Sequence, residues 1–214
     1  QTIKPGEYEV TRGMTPGDLL GKLVRGERIA LALTLVEGWN FRQLRQALAK
    51  AEFLKSETAG LSGEDIMKAL GRPGVNPEGR FFPDTYLYAK NSSDLALLRQ
   101  ALQLMDKRLA AAWEARASDL PLKSADDALT LASIVEKETG QAADRPQIAG
   151  VFINRLRIGM PLQTDPTVIY GLGERFDGDL KRNHLTTDNA YNTYTRRGLP
   201  PTPIAFVSQA ALDA

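Results

Sequence analysis

The chain has 214 residues, with 27 Lys and Arg against 26 Asp and Glu, one His and no Cys, a length for one large or two small domains. Without Cys there is no disulfide framework, zinc–thiolate site or thiol nucleophile, and a single His excludes a multi-histidine metal centre. A net charge of +1 lacks the concentrated basic surface of a nucleic-acid binder.

The first 55 residues hold a weak repeat at an offset of 25. Gly13-Met14-Thr15 is followed by Leu19 and Leu23, and Gly38-Trp39-Asn40 by Leu44 and Leu48. Thr15 and Asn40 suit helix N-caps, and leucines four apart share a helix face. β-like runs over 7–10 and 29–36 precede the two helices, and Gly26 suits the end of the first. Together these predict a small β-α-β-α unit.

Residues 56–93 are less regular. A short helix opens at Leu61-Ser62-Gly63 and breaks at Gly71-Arg-Pro-Gly74 and Asn76-Pro77. Four aromatics between Phe81 and Tyr88 read as a local core between subdomains, with sugar stacking as the alternative. A long amphipathic helix follows over 94–117, capped by Asp94, with Leu95, Leu98, Leu102, Met105, Leu109 and Trp113 at three- and four-residue steps.

Residues 124–139 predict the helix that carries chemistry. Ser124 caps it, Asp126 and Asp127 complement the dipole, and Gly140 stops it. At about 100° per residue, Glu138 falls on the face of Leu131, Ile134 and Val135. Glu136 lies about 160° away, beside Ala132 and Leu129. An acid among apolar neighbours has a raised pKa and can serve as a general acid, which favours Glu138 over Glu136. A further helix runs from Asp144 through Leu156 and ends at Gly159; Arg155 and Arg157 on it read as solvated. Gln163, Thr164 and Asp165 then form a polar cluster, with Pro166 biasing Asp165 away from helix. Tyr170, Asn192 and Tyr194 add phenol and amide groups of the kind a carbohydrate groove uses. His184 reads as a surface side chain, and 198–203 as a rigid turn. No run approaches the roughly 18 apolar residues of a membrane span. Ser208 is placed to cap a helix that has only six residues before Ala214. This predicts that more chain follows Ala214, and the absent Met at position 1 that more precedes Gln1.

These segments resemble the endolytic murein transglycosylases (the MltG or YceG-like family). The resemblance is carried by Leu131-Ala-Ser-Ile-Val-Glu-Lys-Glu-Thr139, Val151-Phe-Ile-Asn-Arg-Leu-Arg-Ile-Gly-Met160, Leu162-Gln-Thr-Asp-Pro-Thr-Val-Ile-Tyr-Gly171 and Ala190-Tyr-Asn-Thr-Tyr-Thr195. Upstream, Pro5-Gly-Glu-Tyr-Glu-Val10, Leu35-Val-Glu-Gly38 and Phe82-Pro-Asp-Thr-Tyr86 agree. The resemblance implies an α+β fold: a LysM-like portion over 1–55, a connecting segment over 56–120 and a catalytic portion over 121–214 whose C-terminal end is missing. It implies Glu138 as the catalytic acid and cleavage of the MurNAc-β-1,4-GlcNAc bond within peptidoglycan strands, leaving a 1,6-anhydro end. Gln163, Thr164, Asp165, Tyr170, Asn192 and Tyr194 would bind the glycan. No metal and no cofactor are expected. Cell-wall synthesis proteins are further expected partners. A single-pass anchor outside this chain would hold the domain at the bacterial inner membrane, facing the periplasm or cell exterior. The alternatives are a lysozyme-like hydrolase using Glu138 and Asp165, and a non-catalytic glycan-binding module.

Overall fold

The computed structural model describes residues 2–4, 6–27 and 30–214. Helix α1 (Pro16–Arg25) begins at Thr15, whose side chain accepts from the Asp18 backbone N–H while Asp18 bonds back to the cap. Helix α2 (Phe41–Lys50) repeats this reciprocal cap with Asn40 and Gln43. Both caps satisfy N–H groups that a helix start otherwise leaves open. Strand β1 (Leu31–Thr34) lies between them; Ile29, in the expected strand over 29–36, lies outside the described residues.

The segment 7–10 forms no strand, so the predicted β-α-β-α unit does not close on itself. Instead β1 pairs antiparallel with β2 (Thr85–Tyr88), in the register Leu31 to Tyr88 and Leu33 to Tyr86. The alternation of β2 sends Tyr86 and Tyr88 inward. Helix α3 (Gly63–Ala69) starts at a Ser62 cap and contributes Ile66 and Met67 to the same core. The aromatic run is core as well: Phe81 is fully buried, stacked on Phe41 at 5.9 Å and edge-on to Phe206 at 6.0 Å.

Helix α4 (Asp94–Ala115) is capped by Ser93, one residue before the expected cap. Asp94 is buried, and its carboxylate accepts from the Glu57 and Thr58 backbone N–H groups and the Thr58 hydroxyl. It ties the preceding loop down instead of capping the helix start. Helices α5 (Ala125–Glu138) and α6 (Arg145–Arg157) pack against each other, and a short 3₁₀ turn over 142–144 joins them. Helix α7 (Asp165–Leu172) includes Asp165 as its first residue, because Pro166 is well tolerated in a first turn and the extended residue is Thr164. Helices α8 (Arg182–Thr186) and α9 (Gln209–Asp213) are single turns, the latter capped by Ser208 as expected.

Three apolar clusters share one thread. Ile204 belongs to the α5–α6 cluster, Phe206 to the cluster around β1, β2 and α2, and Val207 to the α4–α5–α9 cluster. Each is at most 3% exposed. Backbone bonds from Phe206 to Trp39 (2.7 Å) and from Gly38 to Phe206 (2.9 Å) fasten this extended segment to the first half of the chain. Residues 121–214 therefore share their cores with residues far upstream. Among the described residues no helix is long and apolar enough to cross a membrane.

Candidate active site

Helix α5 is buried at every position from Leu129 to Val135. A helix covered all round has no single apolar face, so periodicity loses its power to rank the two glutamates that follow. Glu136 is the enclosed one. Its side chain is 5% exposed and pairs with Arg145, itself 7% exposed, at 3.0 Å. Its other oxygen accepts from the Ser208 backbone N–H (2.9 Å) and hydroxyl (2.6 Å). Glu138 stands on the emerging last turn and remains exposed. This reverses the sequence expectation: α6 and the 204–208 segment cover the Glu136 side.

Exposure at its tip does not make Glu138 an ordinary surface acid. Partial desolvation raises its carboxyl pKa, and the neighbouring Asp165 charge adds to the rise; the Thr164 hydroxyl and the Arg155 guanidinium oppose it. The pressure on the proton is therefore upward, the direction a general acid requires.

The loop before α7 delivers these neighbours. Gln163 adopts a left-handed backbone, φ 51°, a conformation that costs energy outside Gly and collects at functional sites. Its N–H donates to the Thr193 carbonyl at 3.0 Å, and the Thr164 N–H donates to the Thr193 hydroxyl at 3.1 Å. With this loop clamped, Thr164 begins α7 without capping it. Its hydroxyl is buried, lacks a well-formed hydrogen bond and bears on Glu138. Tyr194 donates to Asp165 at 2.6 Å. Burial first, then Asp165 and Glu138, push its phenol up to about 12, so it remains a donor. Arg155, read as solvated, donates to the Leu162 carbonyl behind this loop; Arg157 pairs with Asp119 at 2.6 Å.

Thus Glu138, Thr164, Asp165 and Tyr194 come together, with Gln163 on the same turn. Two expected groove residues do not face this acid. Asn192 is fully buried; its amide nitrogen points at the His184, Leu185 and Thr187 carbonyls and its oxygen accepts from the Tyr194 N–H. It shapes the turn that aims Tyr194. Tyr170 packs edge-on to Tyr191 at 4.8 Å and donates to Glu78 at 2.9 Å. Glu78 stands in no sequence pattern that marks it as a site residue. It is 4% exposed and accepts from the Phe41 N–H at the start of α2. Desolvation raises its carboxyl to about 7 against these bonds. Its only sequence signal was an acid beside Gly79, just before the aromatic run. His184 is partly buried, with its ring nitrogen accepting from the Lys181 N–H. Among the described residues no group of three or more His, Asp or Glu is placed to hold a metal ion.

Comparison with known proteins bears on the whole chain. The YceG-like family matches residues 1–214. A Bacillus subtilis (strain 168) protein named endolytic murein transglycosylase is 33% identical over 231 residues, covering 99% of this chain and 63% of that protein. A Streptococcus pneumoniae (serotype 2, strain D39) protein of the same name is 28% identical over 245 residues, covering 99% of this chain and 44% of its own length. The chain thus spans about half to two thirds of these relatives. A crystal structure of a yceG-like protein from Listeria monocytogenes superposes with a TM-score of 0.70 at 27% identity, over 99% of this chain and 75% of that one.

Proposed function

We propose, from the premise that this chain belongs to the YceG-like family, that it cleaves peptidoglycan glycan strands internally as a lytic transglycosylase. The observation that supports this most directly is the raised pKa of Glu138 beside Thr164, Asp165 and Tyr194. A carboxyl that holds its proton can give it to the glycosidic oxygen between MurNAc and GlcNAc. The bond from that oxygen to the muramyl anomeric carbon breaks. The 6-hydroxyl of the same muramyl unit attacks the anomeric carbon, and its proton passes to the Glu138 carboxylate. Acid and base are one residue, no water is consumed, and a 1,6-anhydro end results. Gln163, Thr164, Asp165 and Tyr194 orient the sugar. Asn192 supports them, Tyr170 contacts substrate outside the bond being cut, and residues 121–214 carry the chemistry.

Asp165 gives a second reading specific support. It is exposed beside Glu138, where a second carboxylate could activate water or act as nucleophile, as in ordinary glycosidases. Mass spectrometry of products from purified strands decides between the two. Lytic cleavage leaves the summed product mass equal to that of the substrate, whereas hydrolysis adds one water per cut. Products carrying the added water would overturn the lytic reading in favour of the hydrolase. The substrate places the domain's work outside the cytoplasmic membrane, in the periplasm or at the cell exterior. A single-pass inner-membrane anchor in the longer protein and contacts with cell-wall synthesis proteins belong to the same proposal.

A further inference from the structure

A cavity of about 660 Å³ has Lys137 and Pro166, the chain neighbours of Glu138 and Asp165, in its lining, and its volume is within the range of about 300–1,000 Å³ typical of ligand pockets. Two helices step from the site into it by single residues. On α5 the step is from Glu138 to Lys137, and on α7 from Asp165 to Pro166. A branched molecule held at Glu138 can therefore send an arm into this cavity.

The lining states what that arm carries. Tyr170, Tyr191 and Ile169 give apolar and aromatic surface. Arg42 at the rim is balanced by Glu174 at 3.1 Å. Lys137 is not balanced: among the described residues its ammonium makes one hydrogen bond, to the Gly38 carbonyl at 3.3 Å. Glu78 is the other acid in the lining, and it accepts bonds from Phe41 and Tyr170. Its carboxyl, raised to about 7 by burial, is largely protonated below neutral pH and cancels little of the Lys137 charge there. The cavity thus offers a cation and apolar walls to its occupant. Sugar rings carry no charge, and the lactyl acid of a muramyl unit is an amide wherever a peptide is attached. The anions of intact strands are then the carboxylates of the peptide stems.

We propose that this cavity binds the acidic peptide stem of the muramyl unit at the cleavage site, with Lys137 as the counter-ion of a stem carboxylate. The inference rests on the peptidoglycan-cleaving reading and adds the substrate class: strands that bear peptides.

The test compares two muramyl peptides, one with free stem carboxylates and one with the same carboxylates amidated. Each is titrated calorimetrically into the Glu138→Gln protein, with and without Lys137→Gln. Glutamine keeps an N–H for the Gly38 carbonyl and removes only the charge. The free acid should bind about fivefold more weakly after Lys137→Gln, the size of effect one partly exposed ion pair gives. The amidated peptide should bind equally to both, and Lys137→Arg should restore the free-acid affinity. Equal affinity of the Lys137 protein for acid and amide, or equal losses for both on substitution, would overturn the proposal. Should Lys137→Gln fail to fold, the acid–amide comparison on the Lys137 protein alone decides. Strand cleavage by the Glu138 protein is assayed in parallel. Charge-dependent binding without cleavage keeps the cavity assignment and removes the catalytic reading; cleavage without charge-dependent binding does the reverse.

Discussion

The inner and outer ends of the last turn of α5 carry the same side chain two residues apart and treat it in opposite ways. At the inner end, Glu136 is closed in by Arg145 and Ser208, with all its charge met by donors. At the outer end, Glu138 is open, poorly provided with donors and pressed by the Asp165 charge. A satisfied carboxylate has no reason to hold a proton and holds structure instead. An under-satisfied one is unsuited to holding structure and is available for proton transfer. Chemical identity decides neither role; the donors within reach do.

Glu138→Gln strikes the outer end and should have the largest effect. Cleavage of glycan strands should fall at least about a hundredfold, the contribution of a positioned acid, while the protein stays folded and its unfolding transition at neutral pH moves, if at all, upward, because a carboxyl with a raised folded pKa costs stability once ionised. With Glu138 present, activity should decline as pH rises through its raised pKa, because the first step needs the proton. A variant that retains activity, or loses it only by unfolding, would erase the contrast between the two ends.

Glu136→Gln strikes the inner end. Removing one member of a buried ion pair costs about 4 kcal/mol, because the other charge stays buried without its partner. Urea unfolding should show that loss, while the rate per folded molecule changes little. Stability preserved with activity abolished would move the acid to the wrong end of the turn.

Glu78→Gln sharpens the comparison with a third acid, one that is buried yet makes no ion pair among the described residues. Its folded carboxyl titrates near 7, against about 4.3 in an unfolded chain. As pH rises between these values the unfolded state releases its proton first, so stability from this group is fully present below the unfolded pKa and lost by the time pH passes the folded one. The loss amounts to about 4 kcal/mol. Unfolding free energies between about pH 4 and 8 should fall by that much for the Glu78 protein relative to Glu78→Gln. Parallel pH profiles would mean that Glu78 is solvated.

Local signals read well where local chemistry decides. Caps at Thr15, Asn40, Ser124 and Ser208 are legible because a hydroxyl or amide oxygen meets the N–H three residues away. Asp94 does not fill the cap position that its spacing suggests, because its three donors come from residues 57 and 58, outside any local window. Asn192 turns inward and does not present its amide to a ligand, for the same reason. Its partners are carbonyls of α8 and the residues after it, a turn that sequence spacing does not display.

By itself the sequence determined the helices other than α7 and α8, most of their caps, the apolar character of the aromatic run and the motifs that tie the chain to its family. These depend on neighbours within a few residues or on the order of short strings. Only the tertiary structure decided that β1 pairs with β2, that 204–207 threads all three cores, and which glutamate of α5 is enclosed. Each of those outcomes depends on groups brought from far along the chain. Ser208 reaches Glu136 across 72 residues and Tyr170 reaches Glu78 across 92. Burial and charge pairing are settled by such meetings, and a helical period of 3.6 residues carries no record of them.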